Sequence, residues 1–201
     1  LVLVETAFLS SAASLIFLVN AYFPIGPLFR ILFPIPISLV YLRWGNRAAW
    51  MSALISGLLL TVLMGPTRSI LFVMPFGLLG VQLGWLWKRS ASWSTAIGLG
   101  SILSTIGLFF RLWLLSVLAG EDLWLYSTTI VTGWIEGLFL RFGILHPPEL
   151  WLVQFLTVIL VIVNSVVYLF TVHLVAWWLL ERLGNPIPEP PKWVRVLLEE
   201  E

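Results

Sequence analysis

The sequence predicts an all-α, polytopic membrane protein: a six-transmembrane-helix bundle with a broken or proline-kinked second helix and an interfacial segment between helices five and six. Three observations lead there. The 201 residues are 60% hydrophobic and only 10% charged, with a mean hydropathy of +1.01, too little charge to cover a soluble domain. Apolar runs of about 20 residues recur, the length that crosses about 30 Å of hydrocarbon. The basic residues between and after those runs concentrate in alternate loops, as in a chain that returns to the same side after each pair of crossings.

The first span is "LVLVETAFLSSAASLIFLVN", interrupted only by Glu5. It lacks a basic leader and a small-residue cleavage site, so it reads as a membrane helix rather than a signal peptide. The stretch "FPIGPLFRILFPIPIS" follows, with Pro24, Pro27, Pro34, Pro36 and Arg30. Proline removes a backbone donor and clashes with the preceding turn, so the second span is expected to break here before "PISLVYL" carries it on. The third span, "AAWMSALISGLLLTVLM", stops at the turn signal "GPTR". The fourth, "SILFVMPFGLLGVQLGWLW", closes on Lys88 and Arg89; the fifth, "STAIGLGSILSTIGLFFRLWLLSVLAG", closes on Glu121 and Asp122.

Residues 123–146 are apolar but carry Thr128, Thr129, Thr132, Glu136 and Arg141, the composition of an interfacial or re-entrant segment, with a further half-span as the alternative. The sixth span opens at "HPPE", where Pro148 suits a first helical position and Glu149 the positive end of the helix dipole. It continues for some 33 residues, about 50 Å of helix, and must tilt or project from the bilayer. The domain division is therefore 1–184 for the six-helix transmembrane domain and 185–201 for a proline-rich tail with a short amphipathic, exposed end.

Arg43, Arg47, Lys88, Arg89, Arg182, Lys192 and Arg195 all fall on one face if there are six spans. The positive-inside rule makes that face cytoplasmic, with both termini there. Trp44, Trp50, Trp85, Trp87, Trp93, Trp177 and Trp178 sit at that level and Trp113, Trp124, Trp134 and Trp151 near the other, as in an aromatic belt.

Depth counting brings two charges together. Arg111 lies about 18 residues from the cytoplasmic start of span five, roughly 27 Å of rise. Arg30 follows an external turn by a few residues, and Arg68 sits in the short external turn after span three. Three guanidiniums thus converge on one leaflet. Arginine at membrane depth costs at least a few kcal/mol unless paired or wet. One arrangement is an outward-facing pocket for an anionic ligand, lined by Arg30, Arg68 and Arg111 with Asn20 as a polar partner. The other has them snorkel to lipid phosphates or pair with Glu121, Asp122 and Glu136.

Small residues let membrane helices approach closely. On span one they recur at four-residue spacing as Ala7 and Ser11 and as Ser10 and Ser14, a stripe that serves internal packing or docks a partner helix. Glu5 reads as an interfacial carboxylate meeting Arg43, Arg47 or Arg182. Asn164 and Gln154 read as interhelical hydrogen-bonding residues, and His173 as a histidine bonded across the bundle.

Several classes are excluded. A net charge of +1 without a basic run gives no footprint for nucleic acid. With no cysteine there is no thiolate site, and His146 and His173 have no metal-ligand spacing, so no metal and no cofactor is expected. No hydrolase signature is present, and the expectation is that the protein is not an enzyme.

The order of "FPIGPLFRILFPIPISLVYLRWG", "RAAWMSALISGLLL" and "PFGLLGVQLGWLWKR" resembles the YybS-like family of predicted bacterial membrane proteins of unknown function, in particular its cyanobacterial members. That family is similar to the substrate-binding S-components of energy-coupling-factor transporters. The resemblance implies a six-helix bundle that binds a small ligand near its external face, in a bacterial inner or thylakoid membrane. It also implies a first helix whose alanine-x-x-x-alanine motif contacts a transmembrane coupling protein driven by ATPases. Here Ala7 and Ser11 stand at the motif positions, with Ser14 on the same helix. The leading expectation is a transport subunit of that kind, surrounded by membrane lipids. The alternative is an accessory or assembly subunit docked on a larger membrane complex, with a photosynthetic (thylakoid) complex as the host that the cyanobacterial resemblance implies.

Overall fold

A computed structural model describes residues 1–23, 28–143 and 146–199. Pro24 and Pro27, two of the four prolines expected to break the second span, lie outside the described residues, as does the end of the acidic tail. Among those described there are only helices: α1 (Val2–Tyr22), α2 (Leu28–Leu32), α3 (Ile35–Trp44), α4 (Asn46–Met64), α5 (Pro66–Phe72), α6 (Leu78–Lys88), α7 (Trp93–Ala119), α8 (Leu123–Arg141), α9 (Leu150–Arg182) and α10 (Lys192–Glu199), with a π-helical turn, Val73–Gly77, joining α5 to α6.

Among the described residues five helices are long and apolar enough to cross a membrane, where six spans are expected from the sequence: α1, α4, the continuous run Pro66–Lys88, α7 and α9. The segment expected as a broken second span consists of two short helices, α2 and α3. Pro34 has no N–H with which to continue α2, and it caps α3 while its carbonyl accepts from Ser38 N at 3.0 Å. Gly45 (φ +82°) separates α3 from α4, and Gly65 (φ +88°) separates α4 from α5. Both backbones sit where an L side chain is strained, so both turns need glycine.

Pro75 falls inside the Pro66–Lys88 run. The helix widens into the π turn around it rather than stopping, which accommodates the missing donor within one continuous span. Helix α7 is capped by Ser92, whose Oγ accepts from Thr95 N, and α8 by Asp122, which accepts from the amides of Trp124 and Leu125. The segment with open alternatives at the sequence level is thus a regular nineteen-residue helix from Leu123 to Arg141.

Helix α3 is the centre of the bundle. Every side chain from Ile35 to Tyr41 is buried, the mark of a helix surrounded by protein on all sides. Leu79, Leu83 and Trp87 of α6 and Leu169, Val172 and Ala176 of α9 complete one core around Ile35 and Leu39. A second core is aromatic: Phe17 of α1 meets Phe33 and Phe72 edge-on at 5.2 Å, and Phe33 meets Phe76 at 4.9 Å.

The interfaces are built on small residues, as helix association in lipid requires. Helix α1 lies on α4 through serines: Ser10 Oγ donates to Ser52 Oγ at 2.8 Å, Ser56 Oγ to Ser10 O at 3.0 Å, and Ser14 Oγ to Ser56 O at 3.2 Å. Gly100 of α7 faces the Leu169 side chain, and Thr105 Oγ1 reaches Ser165 Oγ of α9 at 3.1 Å.

The proline-rich part of the tail, expected as a linker, packs against the bundle, while the side chains of the acidic end lie outside the described residues. Ile187 and Val194 are buried, Trp93 Nε1 donates to Pro188 O at 2.8 Å, and Trp193 stacks on Phe170 at 5.8 Å. Residues 187–194 therefore fold back over the start of α7 and the side of α9, because their apolar groups find cover there.

Gly80, like Gly84 one turn on, packs α6 directly against α3. A Cβ added there would lie 2.8 Å from both Pro34 O and Ile37 Cβ, with backbone on one side that cannot yield. Gly80→Ala is expected to lower the unfolding free energy in detergent by about 1–3 kcal/mol, the usual cost of overpacking. Thermal unfolding of the purified variant checks it.

Candidate functional site

All four residues expected at the pocket share one cavity of about 280 Å³: Asn20 near the end of α1, Arg30 on α2, Arg68 in the first turn of α5 and Arg111 on α7. Each is brought there by a local feature. The Pro34 break aims α2 away from α3. The Gly65 turn places Arg68 at the head of α5. On α7, eighteen residues separate Arg111 from Trp93, a rise of roughly 27 Å. The walls between these charges are the rings of Phe17, Phe33 and Phe76.

No carboxylate neutralises this cluster among the described residues. The ion pairs there are Arg43 with Glu5 and Arg195 with Glu189. Glu121, Asp122 and Glu136, the alternative partners at the sequence level, make none, and Asp122 instead caps α8. Arg68 lies 5.9 Å from the centroid of the Tyr22 ring, a weak cation–π contact. Three guanidiniums, with some fifteen donors between them, face a shared space without an acid.

A second cavity, of about 100 Å³, adjoins the first and shares Arg30, Phe76 and Arg111 with it. Its other walls come from Pro75 in the π turn, Ser104, Gly107 and Leu108 on α7, and Asn164 and Tyr168 on α9. A Cβ on Gly107 would sit 2.8 Å from Pro75 Cβ, so α7 docks directly on the π turn. Tyr168 donates its hydroxyl to Arg30 O at 3.0 Å and ties α2 to α9.

Asn164 and Tyr168 are the site residues that sequence reasoning missed. Asn164, expected to bond across helices, makes no hydrogen bond among the described residues and lines the cavity; Gln154 is exposed and likewise unbonded. The available signal was their four-residue spacing, which puts two polar side chains on one face of an apolar helix.

The remaining candidates lie elsewhere. Glu5 pairs with Arg43 and accepts from Trp44 Nε1 at 2.8 Å, while Arg43 also donates to Leu183 O at 3.2 Å. This joins α1, α3 and the end of α9 at the opposite end of the bundle from the arginine cavity. His173 is fully buried between the rings of Trp87 and Trp93, 5.3 and 5.4 Å away, and its Nδ1 lies 2.8 Å from Leu169 O. His146 stands beyond the other end of α9.

The small-residue stripe of α1 divides. Ala7 is exposed and Ser11 half-buried, its hydroxyl turned to Ala7 O at 2.9 Å. Ser14 is 1% exposed and bonded to α4, so it belongs to the interior and is not available to an outside helix. Three positions at about 100° each leave Ser11 about 60° round the helix from Ser14, enough to move it from the α4 contact to its edge.

A family model described as "predicted membrane protein (DUF2232)" matches residues 11–136, more than half of the chain and the whole segment from Asn20 to Arg111. No curated protein and no solved structure matches the chain.

The divided stripe gives a paired expectation. Ser14→Leu overfills the α1–α4 contact and lowers stability by about 1–3 kcal/mol, whereas Ala7→Leu, facing outward, stays within about 0.5 kcal/mol of the parent. Unfolding of both variants in the same detergent separates them.

Proposed function

The chain belongs to this family of predicted membrane proteins, and we propose that it is a non-enzymatic, S-component-like membrane protein that captures a small anionic ligand or lipid from the outer face. The observation that carries this reading is the convergence of Arg30, Arg68 and Arg111 on one cavity without a carboxylate among the described residues. Like charges gathered in a low-dielectric layer repel one another and lose hydration. An anion relieves both costs, and guanidinium forks match phosphate or carboxylate oxygens bidentately.

In this reading α2 and α3 together make one broken second span, giving six crossings with both termini cytoplasmic. Support comes from the basic residues away from the cavity. Lys88 Nζ reaches Leu42 O at 3.4 Å and Arg43 reaches Leu183 O, so the loops after α3, α6 and α9 gather their positive charge at one end, as the positive-inside rule asks. The cavity then opens on the external side of a bacterial inner or thylakoid membrane. The exposed Ala7 and half-buried Ser11 leave a strip of α1 for a coupling protein with its ATPases.

A second reading, an accessory subunit on a larger membrane complex, is favoured by α8. That helix leaves Leu125, Tyr126, Trp134, Leu138 and Leu140 exposed, an apolar face wide enough to lie against another protein. Affinity purification in mild detergent distinguishes the two: a coupling protein with ATPases favours transport, and a pigment-binding complex favours assembly.

Titration of the purified protein with inorganic phosphate tests the arginine site. Arg30→Leu and Arg111→Leu, each removing a charged hydrogen-bonding partner, are expected to weaken binding by about tenfold or more with thermal unfolding unchanged. Unaltered affinity in variants that fold normally removes the site.

A further inference from the structure

The geometry points to an amphiphilic phosphate as the occupant: a phosphate head held by Arg30, Arg68 and Arg111 and an apolar body lying in the adjoining furrow between the π turn, α7 and α9. This rests on the anion-binding reading above and adds the shape and polarity of what is bound.

The two cavities differ in character and meet at a shared wall. One holds three guanidiniums and the Asn20 amide. The other is walled mainly by Pro75, Phe76, Gly107 and Leu108, with polar groups confined to Ser104, Asn164 and Tyr168. Its Tyr168 hydroxyl is already committed to Arg30 O. The wall they share is Arg30, Phe76 and Arg111, two long flexible side chains and one ring. A head group that draws both guanidiniums toward it therefore opens the way from one space to the other.

The furrow has a direction. From Arg111 to Ser104 is seven residues of α7, roughly 10 Å, and from Asn164 to Tyr168 α9 descends alongside. The arginines stand at one end and the apolar walls lead away from them into the bundle. A compact inorganic anion fills only the arginine half. An uncharged apolar molecule leaves three guanidiniums without a counter-charge. An anion with an apolar extension satisfies both halves.

The charge argues for phosphate over carboxylate. Three unneutralised guanidiniums match a group that carries more than one negative charge and at least three acceptor oxygens, whereas a carboxylate supplies one charge and two oxygens. The same chemistry is offered by a membrane lipid with a terminal phosphate monoester, such as phosphatidic acid, and by a water-soluble alkyl phosphate, and the furrow admits the chain of either.

The test uses the whole protein in phosphatidylcholine nanodiscs, titrated with octyl phosphate, octanol and inorganic phosphate. Octyl phosphate is expected to bind saturably and about 100-fold more tightly than inorganic phosphate, since burying several methylenes adds that much. Octanol is expected to give no saturable binding. Ser104→Phe fills the furrow and should bring octyl phosphate down to the affinity of inorganic phosphate while leaving the latter unchanged. Leu108→Trp fills it from the next turn and takes its place if the first variant does not fold. Equal affinity for octyl and inorganic phosphate in the parent, or a furrow-filled variant that still prefers the octyl compound, overturns the proposal and leaves the anion site standing. Failure of both phosphates to bind removes the anion site itself. Adding phosphatidic acid to the nanodisc identifies the source. Competition with octyl phosphate supports the proposal with a bilayer lipid as occupant; undiminished octyl phosphate binding supports it with a soluble phosphate ester.

Discussion

Pro34 cannot donate the hydrogen bond that would join α2 to α3, and much of the structure depends on that missing N–H. A straight helix through residues 28–44 would put Arg30 in line with the fully buried face of α3. The break lets α3 sink into the centre, where Ile35–Tyr41 are enclosed, while α2 keeps its arginine at the rim. The cost of ending a helix in an apolar layer is met locally: Arg30 O accepts from both Phe33 N and the Tyr168 hydroxyl, and Pro34 O from Ser38 N. Irregular backbone is tolerated at such depths only when protein satisfies it in this way.

The two ends of the bundle treat charge in opposite ways. At one end Glu5 meets Arg43 and an indole N–H, so a carboxylate and a guanidinium neutralise each other within the protein. At the other, three guanidiniums share a cavity whose lining holds no carboxylate, and Asp122 caps a helix. Unpaired arginine in an apolar layer costs at least a few kcal/mol, so a fold that neutralises one arginine and leaves three together retains a cost it had the means to avoid.

Much of this was legible in the sequence where the argument ran along the helix axis. Gly65 and Pro66 mark a helix end by turn chemistry, and counting residues along span five put Arg111 at the depth where the cavity lies, whereas Pro148, expected at a first helical position, lies two residues before α9. What ran around the axis was not legible. In a soluble protein polarity tells the buried face of a helix from the exposed one; in lipid both are apolar. Hence Ser14 and Ser11 could not be told apart, Asn164 read as a packing residue instead of a cavity wall, and Tyr168 carried no signal alone. The folded-back tail was hidden for a related reason. Its prolines read as a linker, and only the partners Trp93 and Phe170, far away in sequence, reveal that Pro188 and Trp193 are held.

The π turn around Pro75 also fixes the phase of its span. Each α-helical residue advances the side-chain direction by about 100°, and the extra residue accommodated between Val73 and Gly77 offsets everything after it by that step. Arg68 and Leu71 thereby look into the arginine cavity while Gly80 and Gly84, further along one continuous helix, look at α3. The widened turn works as a rotary coupling between the cavity-facing half and the core-facing half, so those five residues help to shape the cavity as the arginines do.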